Sequence, residues 1–556
     1  MVAPGVESIQ CIQLAASVVE RVDRGNGVIS KYILSDWCEK FCPGWTPFRL
    51  EDIALVIFQF IIPVIIFSLG VPRRWHFDLP NPFFDTRGRW ALVLVRLIVS
   101  FFVGGFVATC DMILWITCIM SIAGPALFSA VQEAMIDHLV VTNLPKTRPG
   151  STVFVLSRTE RAELITTVLC GNFDIDGFRA RARIHRALLP DPSMQWTIDG
   201  IRSTQSRLNS ISNSQTAFGL GVGIPGLFFL GGFLYNALSI KFESATGINW
   251  VPFAIFWLVL LLVAVVSATL LAGNNPAAVF VLIATGVDEP SPAPTWWVFL
   301  KDYYDGELHP VSIWARGHTK RKWLDASAAV QNHAWLKDSV AITPLKWTFI
   351  TITSLIFLLF PTAMAYSWAY YVTAPRMGCR TLTYAVYMAS QSYLTLITLY
   401  LSVTRQSYLE ILAQRPWRET KYQMLPGVAP QTVKQSASTR LLHTLAWSTF
   451  LVCFPILAVI GSGIVILPGS IFQIFGVYNN CLCQTDVRTW HLPKSQRLTW
   501  IGNELSLGAV ARLEGSTTGM TWACVAIVGV VVYAAWWYQR VLRASVGRMV
   551  MSLDKS

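Results

Sequence analysis

Few side chains in this sequence have the type and spacing for chemistry. Glu133 and Asp137 stand four residues apart with His138 beside them. On a helix that spacing puts both carboxylates on one face, where they and the imidazole could move protons or hold a metal. Asp111 is a further acid set in an apolar stretch. These four residues are the catalytic candidates, weighed against a plain alternative in which a wetted helix end faces a polar loop. Asn274 and Asn275 form an adjacent amide pair just before Pro276. Beside a Pro-broken helix they could coordinate a polar ligand, although an Asn-rich helix stop reads from the same residues. No cofactor and no metal ligand set is assigned. The sequence lacks a Gly-Lys-Ser/Thr phosphate loop, an H-E-x-x-H pair and a G-x-S-x-G elbow. Gly219–Gly226 contains G-x-G-x-x-G, but inside an apolar segment, where it serves helix packing. Ile460-Gly-Ser-Gly463 reads as a packing notch.

The elements that must position these residues follow from composition. The chain has 556 residues, of which 53% are hydrophobic and 14% charged, against about 25% charged in soluble domains. The apolar residues come in long blocks, and about 20 such residues cross a hydrocarbon core as a helix. A cytosolic enzyme, a disordered chain and a disulfide-framed secreted domain are excluded, and an outer-membrane barrel would need short alternating strands. The expected fold is all-α, a polytopic transmembrane helix bundle with a small helical cytoplasmic loop region. Nine stretches qualify as spans: Ile53–Leu69, Trp90–Thr109, Met112–Val131, Ala217–Ile240, Val251–Ala272, Trp347–Trp368, Leu382–Val403, Leu441–Leu467 and Met520–Tyr538. Between the second and third, the polar triplet Thr109–Asp111 reads as a tight hairpin with Asp111 as cap. One long helix up to Gly124–Pro125, which lowers the count to eight, is the alternative.

Lys and Arg orient the spans. In the nine-span arrangement the segments 72–89, 142–216, 286–346, 404–440 and the C-terminal tail are cytoplasmic and carry 31 of the 44 basic residues. Residues 1–52 and the Cys-containing loop 468–519 are then exterior or luminal. The membrane is the plasma membrane or an endomembrane. The net charge of +12 matches basic loops facing anionic lipid. The expected partners are membrane lipid and proteins met by those loops, with no nucleic acid. Within 142–216, Ser157 and Glu160 have capping-box spacing.

The eleven cysteines divide by this topology. Cys110, Cys118, Cys453 and Cys524 lie in or at the ends of spans, and Cys170 lies in a cytoplasmic loop. Cys11, Cys38, Cys42, Cys379, Cys481 and Cys483 all fall on the exterior side, where disulfides form. A Cys481–Cys483 bond would close a small, strained ring, so the two are expected to reach different partners. One ties the loop to Cys379 and the other ties it to the N-terminal segment. A thiolate metal site at Cys481, Cys483 and His491 is the competing reading.

Four segments carry a likeness: Leu270-Leu-Ala-Gly-Asn-Asn-Pro276, Ile313-Trp-Ala-Arg-Gly-His-Thr-Lys-Arg-Lys-Trp323, Thr373-Ala-Pro-Arg-Met-Gly-Cys-Arg-Thr-Leu-Thr383 and Phe475-Gly-Val-Tyr-Asn-Asn-Cys-Leu-Cys483. With Pro72-Arg-Arg74 they make the chain, from about residue 50 onward, resemble multi-pass integral membrane proteins of filamentous fungi that have no assigned activity. The resemblance implies no catalytic residue, and some such proteins are encoded among secondary-metabolism genes. Three functional classes follow. The first is a non-catalytic accessory, scaffold or sensor; the others are a small-molecule transporter or channel, and an intramembrane enzyme acting on a lipid or terpenoid.

Overall fold

The computed structural model describes residues 20–23, 28–41, 62–69, 71, 75–77, 90–144, 156–173, 184–185, 188–189, 197–213, 218–238, 245–271, 300–302, 311–373, 377–404, 449–505 and 507–554. In chain order the elements are β1 Glu20–Asp23, β2 Val28–Leu34, α1 Ser35–Phe41, α2 Ile62–Leu69, β3 Trp75–Phe77, α3 Trp90–Ser121 and α4 Ala123–Asn143. They continue with α5 Arg158–Cys170, α6 Ile198–Asn213, α7 Ile224–Leu238, α8 Ala245–Thr269, β4 Leu300–Asp302, α9 Arg316–Asp325, α10 Ala328–Asn332 and α11 Ala334–Val340. The last are α12 Pro344–Trp368, α13 Cys379–Thr404, α14 Phe454–Ile474, β5 Leu498–Leu505 and α15 Leu507–Met551.

The fold is all-α with small β additions. Five stretches are long and apolar enough to cross a membrane: Leu97–Ser121, Val251–Thr269, Ala334–Tyr371, Phe454–Ile474 and Thr518–Met551. Val251–Thr269 is apolar on every side, and a helix of that kind belongs inside a bundle. It is 94% buried, packed among α12, α4, α15 and α7. The outer surface is apolar as well. Phe101, Phe102, Phe106, Leu227, Phe228, Ile464 and Val530 all face outward, while Gln391, Ser462 and Thr395 are buried. Apolar outside and polar inside is the build of an integral membrane protein.

The hairpin expected at Thr109–Asp111 is absent. The helix runs through it, because the Thr109 hydroxyl donates to the Gly105 carbonyl at 2.7 Å and so stays inside the helical hydrogen-bond pattern. The 32 residues of α3 make a rod about 48 Å long. The break comes at Ile122, with φ −126° and ψ 24°. Its cause is Pro125, which has no N–H to give to the Ser121 carbonyl four residues back.

The two ends of the bundle are built differently. At one end, β1, β2 and β5 form an antiparallel sheet in the order β1-β2-β5, which an all-helical expectation did not include. The sheet joins the N-terminal segment to the loop after α14. Ser35, Thr485 and Thr499 close a buried hydroxyl triangle beneath it, at 2.7, 2.8 and 3.0 Å. Cys38–Cys481 and Cys379–Cys483 lie at disulfide distance. Cys481 and Cys483 thus reach different partners, one in the N-terminal segment and the other Cys379, as ring strain requires. The thiolate metal site at Cys481, Cys483 and His491 is thereby replaced, since both sulfurs are already bonded. Cys11 and Cys42 lie outside the described residues.

The other end carries α5, α9, α10 and α11. Ser157 accepts from the Glu160 N–H at 3.2 Å and Glu160 accepts from the Ser157 N–H at 2.9 Å, the capping box its spacing announced. Glu160 also accepts from Asn332 of α10 at 3.1 Å and lies 3.2 Å from the His333 ring nitrogen. Burial raises its carboxyl, but the donors from Ser157, Asn332 and His333 outweigh that and hold it below the usual carboxylate value. Peptide mapping without reductant is expected to recover Cys38 joined to Cys481 and Cys379 joined to Cys483. Each bond contributes about 2–4 kcal/mol, and free thiols at these four positions would contradict the arrangement.

Candidate functional site

Two carboxylates one helical turn apart on α4 face two cations one turn apart on α9. Arg316 Nε lies 2.9 Å from Glu133 Oε2, and its Nη2 donates to Oε1 at 3.3 Å. Lys320 Nζ is 3.3 Å from Glu133 Oε1 and 2.5 Å from Asp137 Oδ1. All four side chains are fully buried. Such a set is tolerated because the charges balance and because charged donors meet charged acceptors. The two helices approach closely at Gly317. Its N–H donates to Ser129 Oγ at 2.8 Å, and a Cβ there would stand 2.6 Å from the Ser129 carbonyl oxygen and 2.8 Å from Gln132 Oε1.

α9 also ties down its other neighbours. Lys320 donates to the Val168 carbonyl at 2.8 Å, near the end of α5. Arg321 donates to the Ser402 carbonyl at 2.9 Å, where α13 leaves its last carbonyls unpaired, and lies over the Trp347 ring of α12 at 5.4 Å. Trp323 donates to the Phe173 carbonyl at 3.0 Å. One ten-residue helix therefore fixes α4, α5, α12 and α13 together.

Burial pushes the Asp137 carboxyl up to about 7, with Lys320 pulling against it and Glu133 adding to it. Beside Lys320, burial pushes the Cys170 thiol up to about 12, so it is no nucleophile at neutral pH.

The catalytic candidates do not converge. Glu133 and Asp137 come together, but His138 points to the exposed side of α4, with its ring 6.4 Å from that of Tyr538. Asp111 sits half-buried in mid-helix on α3 rather than at a hairpin. Among the described residues no group of three His, Cys, Asp or Glu comes together to hold a metal. Asn274 and Asn275 lie outside the described residues. The sequence reading missed Arg316 and Lys320. Their i, i+4 spacing was visible in Arg316–Lys322, but the stretch reads equally as a solvated basic loop.

A second polar centre lies deep in the bundle, at the α3–α4 break. Gln391 Nε2 donates to the orphaned Ser121 carbonyl at 2.7 Å and to Ser462 Oγ at 2.8 Å. Its Oε1 accepts the Gly124 N–H at 2.9 Å. One amide thus satisfies both sides of the broken helix, and Ser462 between its two glycines is the packing notch expected. Tyr387 donates to the Met120 carbonyl at 2.8 Å just above.

No protein-family model matches this chain, and no curated protein or solved structure matches it either.

Lys320→Met leaves Asp137 buried without its partner, and is expected to cost about 3–5 kcal/mol. Adding Asp137→Leu is expected to recover most of that loss in a thermal-unfolding assay in detergent.

Proposed function

We propose that the chain is a nine-span membrane protein that acts without catalysis, as an accessory, scaffold or sensor between the two faces of its membrane. One observation carries this reading: the carboxylates best placed for acid–base work, Glu133 and Asp137, are taken up by Arg316 and Lys320 in a closed ion-pair set. An enzyme needs such groups presented to substrate. Placing the turn at Ile122 instead of Thr109–Asp111 keeps the nine-span count and its parity. The disulfide-bearing end, which holds the N-terminal strands, is the exterior or luminal face, and the end with α6, α9 and the C-terminal part of α15 is cytoplasmic. The basic loops on that side would meet lipid headgroups and protein partners. The likeness to fungal membrane proteins ties the role to secondary metabolism and supplies a readout.

A transporter is the second reading, favoured by a helix broken deep in the bundle and bracketed by a polar side chain, as in broken-helix carriers. An intramembrane enzyme acting on a lipid or terpenoid has the least support, since its acids and bases point apart.

Two measurements test the proposal. In intact cells a membrane-impermeant maleimide should label Lys494→Cys and spare Ser210→Cys, which reacts only after permeabilisation; the reverse pattern would overturn the orientation. In a deletion strain complemented with Glu133→Gln or Asp137→Asn, metabolite levels should follow the abundance of the variant protein. Metabolites lost at unchanged abundance would make the carboxylates catalytic.

A further inference from the structure

α13 is long enough to cross a membrane, with 26 residues, yet it is not among the five most apolar stretches. The reason is one stripe of polar side chains. Tyr384, Tyr387, Gln391, Thr395, Thr398 and Ser402 recur every three or four residues, so they share a helix face. Their exposures are 3%, 0%, 0%, 0%, 7% and 4%. The stripe faces α4 and the end of α3 along its depth. Tyr387 meets the Met120 carbonyl, and Gln391 meets Ser121 and Gly124. Ser402 Oγ donates to Gln132 Oε1 at 3.4 Å. Gln132 directly precedes Glu133, so the stripe runs into the ion-pair set at the inner end. At the outer end it starts beside the buried Arg380, whose guanidinium lies over the Tyr478 ring at 5.4 Å. Thr383 and Tyr478 share a hydrogen bond there at 3.2 Å.

Polar side chains buried through the full depth of a bilayer are costly and mark pathways by default. Packing alone could use the small, apolar residues that helix interfaces in membranes prefer. Two further atoms point the same way. Gln132 Nε2 and Asp137 Oδ2 are buried and have no hydrogen-bond partner among the described residues. The seam is also too tight for a solute. At Gly124 a single added carbon would stand 2.7 Å from the Gln391 carbonyl oxygen.

We propose that the α4–α13 seam is a proton path joining the two faces of the bundle, with Asp137 and Glu133 as its inner proton-exchanging groups and Gln391 as its closed point. Hydroxyls and carboxylates both take and give protons. A proton entering at the outer tyrosines would pass along the hydroxyls, bind a carboxylate oxygen and leave from it to the inner face, with no bond other than O–H made or broken. An amide does not relay protons in this way. In the conformation described, Gln391 has its oxygen and nitrogen committed to Ser121, Gly124 and Ser462, so passage requires its side chain to turn aside.

The test uses the full chain purified into phosphatidylcholine vesicles holding a pH-sensitive dye, with the membrane potential clamped by potassium and valinomycin. An imposed pH gradient should collapse at least about tenfold faster than in protein-free vesicles. Asp137→Asn, or the isosteric Thr398→Val if that variant does not fold, should return the rate most of the way to the protein-free value. Gln391→Ala should raise it. Phe102→Ala, on the outer surface, should leave it unchanged. Wild-type vesicles that hold the gradient as protein-free vesicles do would overturn the path and leave the accessory reading intact. So would a flux that neither Asp137→Asn nor Thr398→Val slows.

Discussion

Two cations and two carboxylates share a volume closed to water where α9 meets α4, and the inner end of the bundle is organised around that neutrality. Moving any one of the four charges into an apolar interior alone would cost several kcal/mol. Together they demand one geometry: Arg316 against Glu133, Lys320 between Glu133 and Asp137, and Gly317 bare so that the helix backbones can touch. Once α9 is fixed by this set, its other donors fall into place on Val168, Ser402 and Phe173. Three segments distant in the chain are then held by carbonyl oxygens that would otherwise be orphaned.

A second constraint acts deep in the bundle. Pro125 cannot donate to the Ser121 carbonyl, and the bilayer interior offers no water in its place. Gln391 supplies both the missing donor and an acceptor for Gly124. The break is thereby fastened to α13 and, through Ser462, to α14. A polar side chain in that position is costly unless every group on it is used, and here its nitrogen and its oxygen both are. The same economy governs the outer end, where the sheet, the hydroxyl triangle and two cystine pairs connect segments that packing of apolar helices alone would leave loosely tied.

The sequence by itself determined that this is a helical membrane protein, because apolar content in blocks of span length is a local property that needs no partner. It determined the capping box at Ser157 and Glu160, which closes within four residues, and the divergence of Cys481 and Cys483, which follows from ring strain. It did not determine where α3 ends. Thr109–Asp111 looked like a turn because polar residues interrupt an apolar run, yet the Thr109 hydroxyl is satisfied by its own helix. Only the tertiary structure decided that Glu133 and Asp137 belong to Arg316 and Lys320, or that Gln391 completes the break at Ile122. Those pairs are separated by 183 or more residues, and what joins them is complementary charge and hydrogen-bonding need. Neither leaves a periodic trace along the chain, so the partners become visible only when the helices are docked.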